Sequence, residues 1–183
     1  MLVRASIWSE MRSQRSCAVL GHAANSSNRG EGVVTASDWL TLLIAYKGAP
    51  DGLDPVRVQK AMFLFQADEA VSLPTMQQYD FVPYNYGPMS KGVYADLDML
   101  VAEGLVARET VQGQTWSRFR ATGKGLLKGH EIAEQAAAEN HGAAVKLFEI
   151  KELVASKTFN ELVGYVYDRH PEMEERSIFA RRG

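Results

Sequence analysis

Ser90-Lys91-Gly92-Val93-Tyr94-Ala95-Asp96-Leu97-Asp98-Met99-Leu100-Val101-Ala102-Glu103-Gly104 places apolar side chains at Val93, Leu97, Leu100 and Val101, the spacing of one helix face. Ser90 stands where an N-cap hydroxyl belongs, and Gly104 where a helix stops on a left-handed residue. Immediately afterwards the period changes. Leu105 to Val111 and Thr115 to Ala121 flank Gln112-Gly113-Gln114, and two such runs about a short glycine turn predict a β-hairpin. A capped helix that runs into a hairpin sets the expected fold class: mainly α, with one short β-hairpin, a winged-helix-like core and further helices at the C-terminus.

Upstream, Ser37-Asp38-Trp39-Leu40-Thr41-Leu42-Leu43-Ile44-Ala45-Tyr46 predicts a helix that opens at Ser37 with a hydroxyl cap and an acid in its first turn. Pro50, Asp51 and Gly52 make a turn. Asp54-Pro55 then supplies a cap with proline at the first helical position, and Val58, Met62 and Phe65 mark the buried stripe of a second helix that ends near Glu69. Tyr79 to Pro88 holds three tyrosines but two prolines, which excludes a long central strand and leaves an extended, turn-rich connection. Downstream, Thr122 caps a helix to about Glu139, although Gly125 and Gly129 weaken it. Ala143 to Ala155 and Thr158 to Tyr167 follow as two more, the first set off by Asn140-His141-Gly142. The stretch 172–183 mixes both charges around Ile178 and Phe179, and a packed tail and a loose one both stay open.

Across the 183 residues, 46% are hydrophobic and 23% charged, enough apolar side chain for one domain with a substantial core. Residues 1–35, rich in Arg and Ser, read as an N-terminal extension with little to pay for ordering, and 36–180 as the domain. Twenty Lys and Arg against 22 Asp and Glu give a charge of −2, so the chain as a whole has no positive field for polyanions. Cys17, the single cysteine, cannot close an internal disulfide, and no run of about 18 apolar residues could span a membrane. The cytoplasm is the expected compartment, and no membrane is expected as a partner.

Enzyme constellations are missing. His22, His130, His141 and His170 are scattered, without metal-ligand spacing. Gly123-Lys124-Gly125 lacks the upstream glycine and the hydroxyl residue of a phosphate loop. Pro50-Asp51 with Glu149-Ile150-Lys151 spells a nuclease skeleton, but its second half falls in a helical pattern. No catalytic residue, metal or cofactor is assigned. DNA binding is opposed by the helix after Ser90, where Lys91 faces Asp96, Asp98 and Glu103. The hairpin offers a small basic edge of Arg118, Arg120 and Lys124, suited at most to weak, salt-sensitive contact. Tyr79, Phe81, Tyr84, Tyr86 and Tyr94 crowd around Gly87-Pro88. Such rings either fill the core between helices or form a contact surface on a backbone stiffened by proline.

Three stretches together resemble the Panacea domain of SocA-like antitoxins: Val58-Gln59-Lys60-Ala61-Met62-Phe63-Leu64-Phe65, the aromatic run Tyr79 to Ser90 with Tyr86-Gly87-Pro88, and Val93-Tyr94-Ala95-Asp96-Leu97. The resemblance extends over roughly Ser37 to Phe179. It implies a small, mainly helical, non-enzymatic antitoxin without a cofactor, encoded beside a cognate toxin and neutralising it by direct binding. The partner-binding residues are expected to be Tyr84, Tyr86, Gly87, Pro88, Met89 and Tyr94, with Lys60 from the Gln-Lys helix. The alternative is a winged-helix DNA-binding regulator using Arg118, Arg120 and Lys124. The oligomeric state is left open.

Overall fold

A computed structural model describes residues 33–46, 52–68, 71–74 and 78–179. The chain divides after Val33, and the architecture below is that of the unit starting at Val34. Residues 1–32 of the expected extension, with Cys17 and His22, lie outside the described residues, as do Pro50 and Asp51 of the expected turn.

Among the described residues the order is α1 (Ala36–Ala45), α2 (Pro55–Ala67), β1 (Val82–Tyr84), β2 (Gly87–Met89), α3 (Lys91–Ala102), β3 (Val106–Thr110), β4 (Ser117–Ala121), α4 (Gly123–Ser156) and α5 (Phe159–Arg169), with a 3-10 turn at Pro171–Glu174. The fold is mostly helical with two small antiparallel hairpins, one more hairpin than expected. No described helix is long and apolar enough to cross a membrane.

The cap of α1 is Thr35, two residues before the expected Ser37. The acid decides between the hydroxyls: Asp38 stands three residues after Thr35 and reaches back to its backbone N–H at 2.9 Å, while the Thr35 hydroxyl accepts from the Asp38 N–H at 3.1 Å. Ser37 has Leu40 in that place. Val34, fully buried, also belongs to the domain, its N–H bonded to Glu139 at 3.0 Å.

Trp39 to Ile44 are all buried, so α1 is a core helix without a solvent face. Its last carbonyls are therefore denied water and need protein donors. Lys151 of α4 supplies them: its ammonium, almost fully buried, donates to the Ile44 carbonyl at 3.2 Å and to that of Tyr46. The Tyr46 ring stacks on Phe148 with centroids 3.7 Å apart. Around α1, the Trp39 ring meets Phe65 of α2, and Leu97 of α3 with Leu147 of α4 complete the centre.

α4 contains the two helices expected on either side of Asn140, which meet there at a kink. Asn140 leaves helical geometry (φ −150°, ψ 79°), and its side-chain oxygen accepts from the Ala143 N–H at 3.0 Å, so the break acts as an internal cap. Gly125 and Gly129 are points of close approach. A Cβ on Gly125 would stand 1.9 Å from the Leu105 carbonyl oxygen, and one on Gly129 2.3 Å from the Ala45 Cβ.

In the β3–β4 pair, Glu109 lies opposite Arg118 and Arg108 opposite Phe119, whose ring is buried. Two hydrogen bonds between Leu53 and Phe119, of 3.0 and 2.8 Å, tie this hairpin to the start of α2. The tail packs back as far as Phe179: the Ile178 N–H donates to the Asn85 carbonyl at 2.9 Å, and Tyr167 hydrogen bonds Ser177 at 2.6 Å.

Helix propensity alone makes Gly125→Ala favourable by up to about 1 kcal/mol. Overlap with a backbone carbonyl reverses the sign, and we expect a loss of about 3 kcal/mol. Urea denaturation measures it. A gain would show that α4 can move away from Leu105 at no cost.

Candidate functional site

Helix α2 carries two glutamines seven residues apart, hence on one face. Each clamps a backbone. Gln66 donates to the Tyr79 carbonyl at 3.0 Å and accepts from its N–H at 2.9 Å. Gln59 does the same to Ser90, both bonds 2.9 Å. The connection from Tyr79 to Ser90 is thus held at both ends as if by a neighbouring strand.

Between the clamps lies the unexpected hairpin. Pro83 and Pro88 face each other across β1–β2. Lacking N–H groups, prolines fit an antiparallel pair only at a position whose donors would point outward. The Pro88 carbonyl points outward there too, and receives the Lys60 ammonium at 3.0 Å. Gly87 has φ +95°, and a Cβ on it would come 3.1 Å from the Tyr167 ring and 3.4 Å from Lys60 Cε, so glycine is required twice over.

The rings divide between core and surface. Tyr79 packs beside Phe81 and gives its hydroxyl to Asp96 at 2.6 Å; burial and that bond hold its phenol far above the ordinary range. Tyr84, Tyr86 and Tyr94 are 49%, 40% and 41% exposed. These three rim a cleft of about 750 Å³ between the amino end of α2, the β1–β2 hairpin and α3. All seven residues assigned to partner binding line it: Tyr84, Tyr86, Gly87, Pro88, Met89, Tyr94 and Lys60. Asp54, Arg57, Gln59, Trp116 and Phe159, not assigned from the sequence, line it as well. Gln59 was legible as the neighbour of Lys60. Trp116 and Phe159 arrive from the β3–β4 loop and α5, and no local pattern announces them.

Most of the polar lining is already engaged. Asp54 caps α2, accepting from the Arg57 N–H at 2.9 Å, and pairs with the Arg57 guanidinium. Arg57 also reaches the carbonyls of Val154 (3.1 Å) and Lys157 (2.6 Å), closing the end of α4. Burial raises the Tyr94 phenol above its ordinary value, against a lowering contact with Gln59. Lys60, only 3% exposed, is pulled by burial from 10.5 to about 7, partly opposed by Asp54.

The residues of the DNA alternative are dispersed. Arg120 pairs with Glu109 across the hairpin, its Nε at 3.0 Å. Lys124 donates to the Glu103 carbonyl at 2.9 Å, and the Arg118 guanidinium stands 5.7 Å from the Trp116 ring. On α3, Asp98 pairs with Arg108. Among the described residues no three His, Cys, Asp or Glu side chains converge on a point. Of the nuclease-like residues, Lys151 is the buried cap of α1, and Glu149 pairs with Lys146 at 3.1 Å.

Lys151 is also lowered by burial to about 7. Both lysines ionise at 10.5 when unfolded and near 7 when folded, so between these values the unfolded chain binds more protons and stability rises with pH. This contribution is complete above 10.5 and lost as pH falls through 7. From pH 7 to 9 each lysine should add roughly 2 kcal/mol. Urea midpoints at the two pH values test this: Lys60→Met or Lys151→Met should each remove about half of the rise, and a flat native profile would refute it.

No protein-family model matches the chain, and no curated protein matches it either.

Proposed function

We propose that this chain is a non-enzymatic antitoxin that acts in the cytoplasm by binding a cognate toxin directly, with the tyrosine-rimmed cleft as the contact surface. One observation carries the reading: half-exposed Tyr84 and Tyr86 stand on backbone that two prolines, Gln59 and Lys60 hold in place, and half-exposed Tyr94 joins them from α3, whose cap Ser90 is clamped by Gln59. Rings presented in this way cost little conformational entropy when a partner arrives, and tyrosine combines large apolar area with a polar tip. At about 750 Å³ the cleft has room for several side chains of a short segment, the size range of pockets that take small molecules. Binding is favoured over catalysis because the charged groups at the foot of the cleft serve the fold: Asp54 and Arg57 are spent on helix ends, and the amine of Lys60 holds the Pro88 carbonyl. The antitoxin role itself draws on the resemblance carried by the Gln-Lys helix and Tyr86-Gly87-Pro88.

The winged-helix-like core belongs to the same reading, with α3 running into β3–β4 and the Leu53–Phe119 bridge steadying the hairpin against α2. A DNA-binding regulator is the weaker reading, since Arg120 is neutralised by Glu109 and Lys124 is turned to a helix end.

The product of the adjacent open reading frame is the partner to test. Co-expression should relieve its toxicity, and Tyr84→Ala should weaken the purified complex by about 2 kcal/mol or more while leaving the melting temperature nearly unchanged. Unchanged affinity of the folded variant would remove the cleft from the interface. Sub-micromolar, sequence-selective DNA binding at about 150 mM salt would favour the regulator.

A further inference from the structure

Lys60 carries three donors, and among the described residues one hydrogen bond is found for them, to the Pro88 carbonyl. It is 3% exposed, so water does little to satisfy the rest. The residue nevertheless lines the cleft, and it does so beside Gly87, which carries no side chain: a Cβ there would stand 3.6 Å from the Lys60 nitrogen and 3.1 Å from the Tyr167 ring. A buried lysine amine with unfilled donors at the edge of a cavity is held in its charged form, and completed most favourably, by an anionic oxygen brought in from outside.

The charges around the cleft agree. Among the described residues that line it, Asp54 is the only carboxylate, and it is already paired with Arg57. Lys91 adds a positive charge, and Lys60 an amine that Asp54 only partly helps to stay charged. The remaining surface is aromatic and apolar, from Tyr84 and Tyr94 to Trp116 and Phe159. An occupant that complements both properties has one acid set among apolar or aromatic groups. A protein segment supplies both in a few residues.

We propose that the cleft selects a segment of its protein partner bearing one Asp or Glu side chain, whose carboxylate seats on Lys60 Nζ while flanking apolar residues pack on the tyrosine rim. This rests on the reading of the cleft as the partner surface, and names what that surface recognises. Lys60 then has two tasks: it fixes the Pro88 carbonyl and it receives the partner's acid.

A random heptapeptide display library, selected on the immobilised full chain, is the probe. Selected peptides should share an acid beside Trp, Phe, Tyr or Leu. Exchanging that acid for its amide should weaken binding at least tenfold, and the difference should vanish on Lys60→Met. If Lys60→Met fails to fold, the acid-to-amide exchange on the native chain decides alone. Peptides that lose binding on Tyr84→Ala but tolerate the amide would overturn the carboxylate inference and leave the cleft reading intact. Peptides indifferent to Tyr84→Ala, or a library without binders, would remove the cleft reading and this inference together.

Discussion

Three hydrogen bonds made by adjacent residues of α2 govern this molecule: two between the Gln59 amide and the Ser90 backbone, one donated and one accepted, and one from Lys60 to the Pro88 carbonyl. The hairpin they hold has three residues in each strand, and a two-stranded pair of that size is marginal by itself. Its outer edge would also leave buried polar groups unmatched, a cost of about 1–3 kcal/mol for each one. α2 supplies the missing partners, and so becomes a third strand in all but conformation. What positions α2 then positions the tyrosines. Arg57 fastens its first turn to the end of α4, and α4 is set against α1 through Gly129 and Lys151.

Lys60 and Lys151 perform one task in two places. Each carries an amine into the interior to satisfy carbonyls that water cannot reach. A lysine suits one or two buried carbonyls because it can shed its proton and still donate, whereas arginine stays charged. Arg57 is used where its planar fork has several acceptors at once: two carbonyls at the end of α4 and the carboxylate of Asp54. At Lys151 the negative end of the α1 dipole favours the charged form, while burial opposes it.

How much could be read in advance follows from the range of each interaction. Asp54, Ser90 and Thr122 were legible as caps because a cap is settled within four residues. Thr35 was missed for Ser37 because the spacing of the acid, and not the hydroxyl nearest the apolar run, selects the cap. β1–β2 was read as a connection because two prolines argue against strand, and the groups that rescue it sit on another helix. Gly125 and Gly129 looked like weaknesses of α4 and are its contact points, a distinction visible only once Leu105 and Ala45 are in place. The site was legible where it is contiguous, from Tyr84 to Met89, and through the Gln-Lys pair. Trp116 and Phe159 needed the tertiary fold.

The facing prolines have one further effect. Pro83 and Pro88 remove the central outward donor from both strands, and the corresponding carbonyl of Pro88 is occupied by Lys60. Another chain therefore finds no ladder to extend at β2 and no central donor at β1, so recognition here falls mainly to side chains. The same arrangement guards against self-templating: the aromatic rings can stay open to water without the strands beneath them recruiting a neighbouring copy edge to edge.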